Sequence, residues 1–450
     1  MTLGLFLDIG STYTKGRVVE LERGDLVASA KAYTTVETDV TLGINDCLLE
    51  LSRQGIKEKY DIKLASSSAA GGLRMVAVGL VRDLTTEAAK KAALTAGARV
   101  EKSYSYELTP EDLDEILALN PDIILLAGGT DGGNKKYLLE NARKLSRLKL
   151  KGTILVAGNR SAATEVAEIL EGNADYRIAP NVLPDLNTLN IEPVQNLIRQ
   201  IFLEKIVEAK GLKKAEKIVD KVMMPTPLAV LKGAELLAQK IGELILIDVG
   251  GATTDVHSVA KGLPTSSGVS LKGLPEPYAK RTVEGDLGLR RTVKNVVEYG
   301  QEEFYNSGIT SEQLNGYLEK IYRNPTYLPQ TPREKEIEKA LTRICVKTAM
   351  NRHAGRLEEI WTPAGKSFVQ YGKDLTGVEA LVGTGGPLVY AEEPEKVLAA
   401  GFFEENSPHI LKPKKPELYL DTEYVLFAAG LLAENNREAG LKLLNSVKKL

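Results

Sequence analysis

The sequence predicts an α/β protein built from two related halves, and three observations predict it. The segment 5–19, LFLDIGSTYTKGRVV, and the segment 245–259, ILIDVGGATTDVHSV, repeat one pattern: an apolar strand ending in Asp, a Gly-rich polar turn, and a β-branched return strand. Asp8 aligns with Asp248, Gly10 with Gly250, Thr14 with Thr254 and Val19 with Val259. Between the two copies, from 73 to about 180, apolar runs alternate with helical periodicities, the signature of a parallel sheet with crossover helices. From 243 the strand–hairpin pattern starts again. One such hairpin is common, whereas two at corresponding places point to a duplicated domain with a nucleotide between the halves.

Taken in order, residues 3–35 read as three strands, 3–9, 13–21 and 25–34, because β-branched and apolar residues alternate there between turn residues. A helix near 41–54 and a strand at 61–67 follow. The next stretch predicts strands at 73–80, 122–127 and 153–157 and helices at 85–97, 111–119, 134–147 and 160–171. It is longer than a minimal half requires, so it reads as an insertion. Helices at 192–209 and 212–219 lead to the segment 224–238, MPTPLAVLKGAELLA, which is helical after its prolines. After the second hairpin comes a mostly helical stretch, about 286–357, then strands and a Gly-rich loop. The run 412–416, KPKKP, reads as an exposed linker, and helices close the chain. The domains expected are 1–222, with the insertion at about 73–180, and 223–450, with the helical subdomain at about 286–357.

The hairpins carry the chemistry. Glycine lets a turn bring its N–H groups close to a ligand. Ser11, Thr12, Thr253 and Thr254 add hydroxyl donors. A turn of donors without bulky side chains suits phosphate oxygens. An Asp at each strand end would repel phosphate directly. A hydrated Mg²⁺ between them resolves this, since that ion keeps most of its waters and takes one or two carboxylates plus phosphates.

These residues resemble the actin, sugar kinase and heat-shock chaperone ATPase superfamily. The first phosphate motif is matched by Asp8, Gly10, Ser11 and Thr12 with Lys15 following, and the second by the run from Asp248 to Asp255. The adenosine motif is matched by 381–388, LVGTGGPL, with Gly383, Gly385 and Gly386. The two hinge helices are matched by 224–238 and by 421–432, DTEYVLFAAGLL, whose small face at Ala428, Ala429 and Gly430 permits close helix packing. Within the superfamily, 283–290, VEGDLGLR, preceded by Lys280 and Arg281, and 351–361, NRHAGRLEEIW, resemble the glutamate mutase accessory proteins, the MutL-like reactivases, over essentially all 450 residues. That family shares only a name with the DNA mismatch-repair protein.

The resemblance implies two ribonuclease-H-like (actin-like ATPase) domains with an extra α/β region in the first half. It implies ATP and Mg²⁺ as ligands, with Asp8 and Asp248 holding the metal and acting in catalysis. The phosphates fall to Gly10, Ser11, Thr12, Lys15, Gly250, Gly251, Thr253 and Thr254, and adenosine to Gly383, Gly385 and Gly386. Glu284 and Asp286 either touch ribose hydroxyls or cap a helix. The implied partners are subunits of adenosylcobalamin-dependent mutases such as glutamate mutase or ornithine aminomutase, and the implied role is ATP-driven ejection of damaged cobalamin. One departure matters. Met224 stands where the chaperone ATPases have a Glu that positions the attacking water. Hydrolysis is therefore slow, or Asp248 substitutes. A small-molecule (sugar or polyol) kinase and an actin-like filament protein are the alternatives within the same fold.

Composition sets limits. Lys+Arg 58 against Asp+Glu 60 leaves no basic excess of the kind nucleic-acid binders show. No apolar run reaches the length of a membrane span, and the apolar start is interrupted at once by Asp8 rather than forming a signal peptide. Cys47 and Cys345 have no metal-ligand spacing and fit a reducing cytoplasm, with Cys345 on the apolar face of 337–350. His257 is expected to pack along its strand and His353 to serve structure or a partner rather than catalysis. The Gly-rich 125–135 reads as a strand-to-helix connection, and 65–72 as a tight bend or a hinge. The segment 440–450 reads as an amphipathic helix packed on its own domain. The oligomeric state stays open.

Overall fold

A computed structural model describes residues 2–10, 12–35, 39–56, 59–68, 73–186, 188–208, 218–363 and 365–450. Ser11, most of the helix expected at 212–219, and residues 69–72 of the expected bend lie outside them. The chain divides into two compact units. The first holds 1–236, 273–277 and 426–444; the second holds 237–272, 278–425 and 445–450.

In the first unit, β1 (Leu3–Ile9), β2 (Tyr13–Glu20) and β3 (Asp25–Tyr33) form an antiparallel meander. Helix α1 (Val40–Arg53) leads to β4 (Ile62–Ser67), which pairs parallel to β1. An inserted module follows: β5 (Arg74–Gly79), α2 (Glu87–Thr95), β6 (Arg99–Ser105), α3 (Pro110–Leu119), β7 (Ile123–Leu126), α4 (Lys136–Ser146), β8 (Thr153–Val156), α5 (Ala163–Leu170) and β9 (Tyr176–Ile178). Helix α6 (Glu192–Glu208), β10 (Lys221–Pro225) and α7 (Thr226–Ile241) come next. The main sheet runs β10-β4-β1-β2-β3.

The inserted sheet is all parallel, in the order β6-β5-β7-β8-β9, a doubly wound arrangement. Its central strands β5, β7 and β8 are apolar on both faces because helices cover both. Met75, Ala77, Ile123 and Leu125 join the core that also holds α2, while Val76, Val78, Ile124 and Leu126 join a second core. The expectation at 73–180 held in kind but missed β6 and β9. Their sequences, RVEKSYS and YRI, are too polar to read as buried strands.

In the second unit, β11 (Leu244–Val249), β12 (Thr254–Val259), β13 (Val269–Lys272) and β14 (Ala279–Glu284) precede α8 (Val293–Tyr299), α9 (Gln301–Asn306), α10 (Ser311–Arg323) and α11 (Pro332–His353). Then come β15 (Arg356–Thr362), β16 (Gly365–Tyr371), β17 (Ala380–Thr384), α12 (Gly386–Val389), α13 (Pro394–Leu398), β18 (Glu417–Leu420), α14 (Leu426–Leu432), α15 (Arg437–Leu443) and β19 (Lys448–Lys449). Helices α14 and α15 belong to the first unit. The second main sheet runs β14-β12-β11-β17-β18-β19. Read from β14, its first five strands repeat the first sheet read from β3, with the same parallel and antiparallel pairings. The duplication expected from two hairpins thus extends to five strands in each unit.

Four expectations need correction. The helical stretch begins at Val293, not near 286, because 285–292 folds back onto the second hairpin turn. Neither Glu284 nor Asp286 caps α8, whose start has no side-chain cap. Lys412 is fully buried and paired with Glu404 at 2.7 Å, so 412–416 is not an exposed linker. The C-terminal helix stops at Leu443, and Lys448–Lys449 instead pairs with the free edge of β18. The core reading of Cys345 stands: it is buried, and burial pushes its thiol up to about 12. No helix among the described residues is long and apolar enough to cross a membrane.

The start of α11 shows how a helix end is fixed here. Thr331 and Glu334 form a reciprocal capping box. Glu334 also accepts from Lys320 Nζ at 2.7 Å and Gln330 N–H at 2.7 Å. Burial raises its pKa, but Lys320 and the N–H donors of Gln330 and Thr331 outweigh burial and hold it at about 2. Its contribution is therefore present above the unfolded carboxyl pKa of about 4.3 and is lost as pH falls toward 2. Glu334→Gln should lower stability at neutral pH by roughly 2 kcal/mol. Melts between about pH 4 and 2 should then show a smaller loss on acidification than the wild type.

Candidate functional site: two matched phosphate turns

The first hairpin turn is closed by Gly10 N–H donating to Tyr13 O at 3.1 Å, the second by Gly250 N–H donating to Thr253 O at 2.9 Å. A Cβ at Gly10 would stand 2.6 Å from Tyr13 O, so the first turn requires glycine. In each unit the Asp lies two residues before that glycine, on a central strand. Asp8 faces Lys15 on β2 and Ser66 on β4; Asp248 faces Asp255 on β12 and Thr384 on β17.

Asp8 is buried, at 5% exposure. Its Oδ1 accepts from Thr226 Oγ1 at 2.6 Å, and Lys15 Nζ lies 3.8 Å from its Oδ2. Thr226 Oγ1 also lies 3.3 Å from Ser66 Oγ. The first residue of α7 thus holds the carboxylate, as the strand–Pro–Thr–helix order brings it there. Thr12 is exposed beside the turn, and Thr14 is buried against Thr34 at 2.9 Å. Met224 is fully buried.

In the second unit the segment 284–292 covers the turn. Leu289 N–H donates to Gly250 O at 3.2 Å, and Arg290 and Arg291 N–H donate to Gly251 O at 2.8 and 2.9 Å. Thr254 Oγ1 donates to Leu287 O at 2.6 Å. A Cβ at Gly288 would meet Ala252 Cα at 2.6 Å, which is why glycine stands there. Arg290 is held bidentately by Glu338 at 2.8 and 3.2 Å. Arg352 ties Glu284 at 2.7 Å to Asp286 at 2.8 and 3.0 Å, and this guanidinium keeps the Asp286 carboxyl below the usual range.

The adenosine-type loop meets the same strand. Gly385 has φ 92°, and a Cβ there would overlap the Val249 carbonyl and stand 2.7 Å from Asp248 Oδ1. Gly385 is thus the point where the loop after β17 passes against Asp248. Gly383 is packed under Leu398 and Leu420, and Gly386 opens α12, 3.9 Å from the Tyr424 hydroxyl measured at its missing Cβ.

Sequence reasoning assigned no role to Asp255, Arg281, Thr226 or Ser66. Asp255 lies directly across from Asp248 and binds Arg281 at 2.9 Å. Burial raises the Asp255 pKa against the opposing effect of Arg281. The signal for Asp255 was its place in the return strand, opposite the aspartate already chosen. His257 is buried, and burial and then Arg281 hold its pKa well below the ordinary value. His353 bonds Thr282 and Ser258 at 2.8 Å each, a structural role as expected. The 125–135 loop is satisfied internally: Asn159 bonds Gly132 N–H at 3.1 Å and Gly133 O at 2.9 Å, and Asn181 bonds Gly129 O at 3.0 Å.

Two units with one strand order, each with an Asp–x–Gly turn at its central strand, define the duplicated ribonuclease-H-like fold of the actin-like ATPases. The family model described as MutL protein matches residues 4–447, so the chain belongs to the MutL family. It is 46% identical over 454 residues to Protein MutL of Clostridium tetanomorphum, covering 98% of each chain. Among solved structures it shows a loose likeness to gluconate kinase from Lactobacillus acidophilus, at 14% identity over 100% of this chain and 93% of that one, TM-score 0.36. A similar likeness holds for the activator of 2-hydroxyisocaproyl-CoA dehydratase from Clostridium difficile with bound ADPNP, at 10% identity over 100% and 99%, TM-score 0.34.

Proposed function

We propose that this chain is an ATP-binding accessory chaperone of an adenosylcobalamin-dependent mutase, and that its nucleotide cycle exchanges damaged cofactor on that enzyme. The observation that carries the nucleotide reading is the matched pair of turns, Gly10 to Tyr13 and Gly250 to Thr253, each two residues after a strand-end Asp. The MutL family supports the accessory role.

The donor sets fit Mg-ATP. Asp8 is oriented by Thr226, and Asp248 stands beside the Gly385 backbone. A hydrated Mg²⁺ needs only one or two carboxylates. Gly10, Ser11, Thr12 and Lys15 serve the phosphates from the first unit, and Gly250, Gly251 and Thr253 from the second; Thr254, expected among them, is fully buried with its hydroxyl donated to Leu287 O. Gly385 and Gly386 give adenosine a side-chain-free approach; Gly383, expected to join them, is buried under Leu398 and Leu420. Glu284, although tied to Arg352, keeps acceptor capacity for a ribose hydroxyl. When bound, Mg²⁺ supplies charge neutralisation for the phosphates. Met224 accepts no proton, so hydrolysis is slow, with Asp248 holding the water.

ATP that engages both loops favours whichever conformation satisfies both, by its differential affinity for that state. Titration calorimetry tests this reading: one Mg-ATP per chain, bound more weakly without Mg²⁺, is expected. No heat and no thermal shift with Mg-ATP would overturn it.

A further inference from the structure

The two hairpins share a backbone and a strand-end aspartate but differ in the charges beside it. Across β1, β2 and β3 the register places Asp8, Lys15 and Lys31 side by side, with Arg17 one step along the same face. Like charges directly opposite in a sheet are destabilising, and Lys15 and Lys31 are such a pair. The corresponding positions of the second hairpin hold Asp255 in place of Lys15, Val283 in place of Lys31 and His257 in place of Arg17. The cationic stripe therefore belongs to this copy and not to the hairpin fold.

The three cations are held differently. Arg17 is buried, and its Nη1 donates to Gly16 O at 2.7 Å and Ala30 O at 3.3 Å, so its charge is fixed behind the stripe. Lys15 lies near Asp8. Lys31 has no carboxylate partner among the described residues. Its Nζ sits 3.9 Å from the centroid of the Tyr13 ring, and Tyr13 is the residue that closes the phosphate turn. Tyr33 braces that ring edge-on at 6.1 Å. The ammonium is thus held toward the turn by a cation–π contact. Burial lowers the Lys31 pKa most, and the nearby charges of Lys15 and Arg17 lower it further. Asp8, the carboxylate beside Lys15, is already bonded to Thr226.

We propose that Lys31 is a polyphosphate-binding residue: with Lys15 it forms a two-lysine clamp on the terminal phosphate oxygens of the nucleotide, the bound anion relieving the repulsion built into β2 and β3. This rests on the reading of the hairpins as a nucleotide site. It adds a residue outside the phosphate motif and gives the first unit selectivity for tri- over diphosphate.

The experiment compares full-length wild type, Lys31→Met and Lys31→Arg by calorimetry with Mg-ATP, Mg-ADP and inorganic tripolyphosphate, and by melting without ligand. Lys31→Met should bind ATP and tripolyphosphate about tenfold more weakly, the loss of one charge-assisted contact, and ADP with a smaller loss. Its ligand-free melting temperature should be unchanged or higher, which a merely structural lysine would not give. Lys31→Arg should retain most of the affinity. ATP binding by Lys31→Met at wild-type strength would overturn the clamp and leave the nucleotide reading intact. A wild type that binds neither ATP nor tripolyphosphate would overturn both.

Discussion

Asp8→Asn and Asp248→Asn should each lower Mg-ATP affinity on the order of a hundredfold and abolish nucleotide-dependent activity. The reasoning starts from charge. Each carboxylate ends a central strand two residues before a turn whose N–H and hydroxyl groups suit phosphate. Removing its charge leaves a phosphate-bearing ligand without its bridging cation, a loss of the size expected for a charge-assisted contact in a partly buried site. Asn is preferable to Ala because Asp8 is buried and bonded by Thr226; the amide oxygen can keep that bond while the charge is lost. Melting curves near wild type, with calorimetry showing the lost affinity, would separate function from folding. Wild-type affinity in both variants would sink the assignment of these residues.

The second large effect is structural. A Cβ at Gly430 of α14 would overlap the Ala229 carbonyl oxygen and stand 2.7 Å from Ala229 C and 3.0 Å from Gly233 N on α7. Gly233 returns the contact: its Cβ would overlap Leu426 O and stand 2.9 Å from Leu426 C. All these atoms are backbone, so no rotamer change can relieve the clash, and the two helices would have to separate. Gly430→Leu should cost more than about 3 kcal/mol and leave little folded protein at 37 °C. Gly316 is the control. It lies within α10 with nothing within 4 Å of its missing Cβ, so Gly316→Ala should stabilise by about 1 kcal/mol through helix propensity alone. A Gly430→Leu melt equal to wild type would contradict the close crossing.

The parts of this fold that were legible are those where one residue type had one physical reason. The Asp–x–Gly turns read clearly because the same pairing of a strand-end carboxylate with glycine occurs twice, at corresponding places. The small face at Ala428, Ala429 and Gly430 read as a close helix contact, and Gly430 makes one. What escaped depended on partners far away in sequence. β14 reads AKRTVE, and its charges hide a strand whose Arg281 is answered by Asp255 on the neighbouring strand. The return of 285–292 over the second turn is made by backbone N–H groups of Leu289, Arg290 and Arg291, which leave no side-chain signal. Lys412 sits in a run that looks solvated until Glu404 is placed beside it. The amphipathic pattern at 440–450 lost to the unpaired edge of β18.

Lys15 and Asp255 occupy corresponding positions of the two hairpins and carry opposite charges, so the two copies share a backbone but not the charge beside their strand-end aspartates.

The most direct measurement of the central claim is rescue of a stalled mutase. Glutamate mutase and ornithine aminomutase from the same source are each allowed to inactivate on damaged cobalamin, and this protein is added with fresh adenosylcobalamin, with and without Mg-ATP. The account predicts ATP-dependent release of the damaged cobalamin and recovery of activity with one of the two, lost in Asp8→Asn. No release and no recovery with either enzyme, from a protein that demonstrably binds Mg-ATP, would contradict it.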